Sequence, residues 1–134
     1  MQPRRDPEVD GDTILWRRLT SPDWIVPKSD GLRRVSSAAF KGRPEEIHLS
    51  VHIADFTDLD TIFSTLPWCE SVAEIRAEYF QSLGRQVHHT PDPETDDNSH
   101  ASITLAGNYG QRKKDAKVVA MKARLIEKRE VPPT

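Results

Sequence analysis

Seven side chains in this sequence have the types and spacing to do chemistry: Arg17, Arg18, Arg34, Ser36, Ser37, His52 and His100. The pairs Arg17-Arg18 and Arg33-Arg34, with Ser36 and Ser37 close behind, have the composition of an anion pocket. Guanidinium forks grip a phosphate or carboxylate, and hydroxyls complete the shell. His52 ends the alternating run His48, Ser50, His52, and His100 begins the run His100, Ser102, Thr104. If these runs are neighbouring strands, imidazoles and hydroxyls converge on one surface. Such a surface suits a phosphate, sugar or nucleobase, or acid/base chemistry near neutral pH. The plainer reading makes each run the wet side of an antiparallel sheet. Adjacent strand residues also point to opposite faces, so one arginine of each pair is then an ordinary surface charge.

Other polar clusters carry less. His88, His89, Asp92, Asp96, Asp97 and His100 are metal-ligand types, but they straddle a loop containing Pro91 and Pro93 with no compact spacing to fix them on one face. A solvated acidic turn is expected there, and no metal or cofactor is assigned. Ser36, Ser37 and Ser50 lack the G-x-S-x-G setting of a hydrolase nucleophile. Gly107 and Gly110 are too few for a phosphate-cradling loop. Cys69 reads as a small buried hydrophobe, and Trp16, Trp24 and Trp68 as core residues rather than a base-stacking platform.

The elements that must position these groups follow from periodicity. Thr13 to Leu19 reads as a strand ended by Ser21-Pro22, and Trp24, Ile25 and Val26 as the packed part of an extended loop. Ile47, Leu49, Val51 and Ile53 alternate with polar residues, which is the period of a half-buried strand. Leu59, Ile62, Phe63 and Leu66 describe a short helix capped by Thr57 or Asp58 and stopped by Pro67. Residues 72 to 83 fit both periods, and a strand passing into a short helix is the favoured reading. Gln86 to Thr90 and His100 to Leu105 read as further strands. Gln111 to Lys128 reads as an amphipathic helix docked by Ala116, Val119, Ala120, Ala123 and Ile126. An α+β fold is therefore expected: a mixed or antiparallel sheet of about five strands with two or three helices.

The chain has 134 residues, a formal charge of −2 and a single cysteine. That length fits one domain, expected over residues 13–130, with a flexible tail at 1–12 and a short tail at 131–134. The net charge argues against a globally basic nucleic-acid binder, although Arg112, Lys113, Lys114, Lys117, Lys122, Arg124, Lys128 and Arg129 form a local basic patch. Nucleic acid is thus a possible but not a favoured partner of the C-terminal helix. One cysteine permits no intrachain disulfide, and no stretch resembles a secretion signal or membrane span. A soluble, cytoplasmic protein is expected.

The strings LWRRLTSPDWIVP, RRVSSAAFKG, LSVHIA and HASITLAG ahead of a basic helix resemble a pattern found in small bacterial proteins of similar length. The likeness runs from Leu15 to the last helix and implies no activity. A second resemblance, to ADP-ribosyltransferase-like folds, implies that Arg17 or Arg18 and Ser36, Ser37 or Ser50 line a nicotinamide dinucleotide site. This sequence departs from that pattern in lacking a convincing catalytic glutamate on a late strand, and the chain is short for that fold. Two functions follow as expectations: a non-enzymatic binding or accessory module acting with a protein partner, or an enzyme directed at a nucleotide or nucleic acid. The second requires Arg17 or Arg18, His52 and His100 to share one concave site.

Overall fold

Leu49, Val51 and Ile53 are buried along one side of strand β4 (His48–Ile53), and this alternation fixes which face of the sheet meets the core. The computed structural model describes residues 7–27, 33–66, 68–95 and 97–128. In chain order it contains β1 (Ile14–Arg18), β2 (Ile25–Pro27), β3 (Arg33–Val35), α1 (Ala38–Lys41), β4, α2 (Leu59–Thr65), β5 (Ser71–Arg76), α3 (Glu78–Gln81), β6 (Val87–His89), β7 (His100–Thr104), α4 (Tyr109–Lys122) and β8 (Arg124–Glu127). Six strands form an antiparallel sheet in the order β6-β7-β4-β1-β5-β8, and β2 pairs with β3 as a separate arm. The α+β class expected from the periodicity is the class found.

One face of the sheet carries the main core. Leu15, Val51, Ala73, Ile75, Val87 and Ile103 cluster with Ala39 and Phe40 of α1, Phe80 of α3, and Ala116 and Val119 of α4. Full burial of a Val or Leu contributes roughly 1.5–3 kcal/mol, so this cluster dominates stability. The opposite face is covered over part of its area by α2, whose Leu59, Ile62 and Phe63 cluster with Val72 and Trp16. The Asp58 carboxylate caps α2 by accepting the Thr61 amide proton at 2.8 Å. Gly42 ends α1 at φ 68°, where a Cβ would stand 2.8 Å from Leu105 Cδ1. Glycine suits that position on both counts.

Several boundaries differ from expectation. The C-terminal helix stops at Lys122, Ala123 is extended, and Arg124–Glu127 returns as β8 to pair with β5. The edge of β5 needs hydrogen-bond partners, and Ile126 serves that strand rather than a helical stripe. Residues 7–9, within the segment expected as a flexible tail, lie along β6. The Val9 amide donates to the Val87 carbonyl at 2.9 Å, and the His89 amide to the Pro7 carbonyl at 2.8 Å. Residues 1–6 of that tail, the tail 131–134 and Pro67 lie outside the described residues. Ile47 is 67% exposed because β4 begins only at His48. Trp68, expected in the core, is 63% exposed. The turn closed by the Cys69 amide on the Leu66 carbonyl buries Cys69 and leaves the indole outside.

Candidate functional site

Strand register decides which polar groups meet. In the β4–β7 pair His48 faces Thr104, Ser50 faces Ser102 and His52 faces His100. In the β1–β4 pair Trp16 faces His52. Side chains on directly opposed residues share a face, so Arg18, His52 and His100 lie together on the face that α2 partly covers. The two polar runs do neighbour one another.

At the centre, Arg18 Nη1 lies 2.8 Å from His52 Nε2. A guanidinium only donates, so Nε2 accepts and the neutral ring carries its proton on Nδ1. That nitrogen lies 2.9 Å from Ser99 Oγ and 3.3 Å from Asp97 Oδ2. Ser99 Oγ in turn donates to Asp97 Oδ1 at 2.5 Å, and the Ser99 amide donates to the same oxygen at 3.0 Å. Arg18 Nε also donates to the Ile62 carbonyl of α2 at 3.3 Å. The chain Arg18–His52–Ser99–Asp97 therefore ties α2, two central strands and the 91–99 loop to one point. His52 is only 6% exposed; burial, with Arg18 beside it, pushes its pKa down to about 4. Burial works to raise the Asp97 carboxyl, but the Ser99 hydroxyl and amide outweigh it and hold it low.

His100 is arranged differently. Its ring stands edge-on to His52 with centroids 6.1 Å apart. Nδ1 donates to the Thr90 carbonyl at 2.9 Å and lies 2.9 Å from Thr90 Oγ1, which contacts Ser102 Oγ at 2.9 Å. With its proton on Nδ1, the ring presents the Nε2 lone pair outward. Beside it, His48 and Ser50 are exposed and Ser102 and Thr104 half-buried. This makes a hydrogen-bonding platform of imidazoles and hydroxyls, open where α2 does not reach.

The remaining expected groups do not join it. Arg17 points to the core face, where the ladder between β1 and β4 covers only Leu15–Ile53 and Trp16–His52. Beyond that point its guanidinium bridges β4 and α1, with Nη1 donating to the Ser50 carbonyl at 2.8 Å and Nε to the Ala39 carbonyl at 2.5 Å. It also stacks 4.9 Å above the Trp24 ring. Burial lowers its pKa to about 10, with Glu46 opposing the shift, so it stays charged near neutral pH. Arg33 pairs with Glu127, and Arg34 is exposed on the β2–β3 arm. Ser36 Oγ accepts the Ala38 amide at 3.2 Å, and Ser37 makes no side-chain cap bond at the start of α1. The expected anion pocket is thus dispersed over two faces and an arm. It fails because adjacent strand residues diverge.

A cleft of about 540 Å³ lies at another place, lined by Leu19, Ile25, Arg33, Trp68, Glu70 and Lys128 among others. Arg18, His52 and His100 are not part of it, so the Arg/His cluster does not line this cleft. Among the described residues no group of three or more His, Cys, Asp or Glu side chains is gathered to hold a metal ion. Thr90 and Ser99 were not anticipated. The Asp97-x-Ser99 spacing is the signal that would have found the latter, since an Asp side chain characteristically accepts the amide two residues on. No protein-family model matches the chain, and comparison with curated proteins and with solved structures found no match. Among the described residues no helix is long and apolar enough to cross a membrane.

Proposed function

We propose that this protein is a non-enzymatic cytoplasmic binding module that acts with a protein partner. The observation that carries the reading is how the reactive groups are used. Arg17 serves backbone carbonyls, and Arg18 closes the one nitrogen of His52 that could accept a proton from a ligand. Groups bonded in this way stabilise a scaffold rather than attack a substrate. Co-expression with the products of neighbouring genes, followed by size-exclusion chromatography, tests it. A stoichiometric complex is expected; elution as an isolated chain with every neighbour would overturn the reading.

A second reading is kept because one observation favours it. His100 holds an outward lone pair beside the Ser50 and Ser102 hydroxyls, which is a base next to polar groups that could orient a nucleotide. An ADP-ribosyltransferase-like activity at this face predicts release of nicotinamide from NAD, lost in His100→Ala with the fold intact by circular dichroism. No release above a heat-inactivated control removes it.

A further inference from the structure

Helix α4 docks by a narrow stripe and leaves a broad face outward. Arg112, Asp115, Ala116 and Val119 are buried, whereas Lys113, Lys114, Lys117 and Lys122 are exposed. The one acidic residue of the helix is thus turned inward. Among the described residues no carboxylate stands within ion-pair distance of these four lysines. Lys113 leans over the Tyr109 ring and Lys122 over the Tyr79 ring, at 5.4 and 5.7 Å, contacts that keep the ammonium groups at the surface. Between the lysines, Val118 is 43% and Met121 80% exposed. Residues 114, 117, 118 and 121 follow helical spacing, so lysines and apolar groups share one strip.

Resting on the reading of a protein-partnered module, we infer that this strip docks an acidic amphipathic segment of the partner. Its carboxylates would lie against Lys114 and Lys117, and its apolar side chains would cover Val118 and Met121. Charge complementarity selects the sign of the partner and speeds encounter. Methionine supplies an adaptable apolar contact. A second copy presenting the same face would set four lysines against four, so this strip does not build a symmetric dimer. Phosphates of a nucleic acid would satisfy the lysines but leave Val118 and Met121 without a role. Two apolar residues with no aromatic anchor are also too few for insertion into a lipid surface.

The test uses the full chain and a fluorescein-labelled acidic amphipathic helical peptide of about five turns, followed by anisotropy. Binding is expected to weaken as salt rises. Lys114→Glu with Lys117→Glu should weaken it about tenfold or more, and Met121→Ser roughly fivefold with little change in salt dependence. Both variants alter exposed positions, and circular dichroism confirms their fold. Parallel titrations use duplex DNA and phosphatidylserine vesicles, with sedimentation of the chain alone for self-association. Binding to DNA or vesicles that exceeds the peptide and ignores Met121→Ser overturns the inference, as does self-association abolished by Lys114→Glu with Lys117→Glu. Absence of peptide binding overturns it as well. If the chain forms a complex with a neighbouring gene product that both variants leave unchanged, the module reading stands and this face falls.

Discussion

His52 has its two nitrogens occupied and almost no contact with water, and this sets how stability answers to acid. A histidine whose pKa is depressed to about 4 in the fold binds its proton only after the unfolded chain, at about 6.5, has already done so. Between those values the unfolded state holds more protons, so stability is full above about pH 6.5 and falls as pH drops towards 4. The loss attributable to this residue is about 3 kcal/mol, and urea midpoints across that window should record it. His52→Gln should flatten this limb while leaving the lower one, where Asp97 protonates, in place. Arg17 makes a different prediction. Arg17→Met keeps an unbranched apolar stem but removes the guanidinium that donates to the Ala39 and Ser50 carbonyls and stacks on Trp24. A cost of about 2 kcal/mol is expected, since water can reach only part of the vacated site. A midpoint unchanged at neutral pH would refute the bridging role.

At the scale of elements, legibility followed the strength of the local period. β4, α2, and the passage of β5 into α3 could be read from the chain because alternation, an Asp cap, or a change from period 2 to period 3.6 marks each of them. β8 was missed: Ile126 fits a helical stripe drawn from Ala116 as well as a strand, and only the open edge of β5 decides between them. β2 and β3 are three residues each, too short for any period to show. The Arg/His cluster was legible as a face but not as a network. Spacing places His52 opposite the core side, yet its burial depends on Arg18 and Ser99, which lie 34 and 47 residues away. Gly42 gives an element-level prediction. Gly42→Ala imposes a left-handed alanine and a contact with Leu105, and should cost about 2 kcal/mol in denaturant unfolding. A neutral result would mean that the turn after α1 relaxes freely.

For the whole molecule, the strand order implies slow assembly. β1 sits between β4 and β5, which lie about 30 to 60 residues further along the chain, so the sheet closes through distant pairings. Refolding after denaturant dilution is expected in milliseconds to seconds rather than microseconds; a microsecond phase carrying most of the amplitude would contradict this. The two margins of the sheet differ in what protects them. At β8 the Arg33 side chain of the β2–β3 arm reaches across to Glu127. At β6 the guard is the Pro7–Val9 backbone, joined to β6 by hydrogen bonds at both of its ends. A sheet margin stripped of such cover is a template for strands of other molecules. A version of the protein beginning at Asp12 would keep all six strands yet bare the His89 amide and the Val87 carbonyl of β6. It should aggregate during heating or storage at concentrations where the full chain stays dispersed, and light scattering would show the difference. Residues 7–9, expected to belong to a flexible tail, would then act as the fold's safeguard against polymerisation.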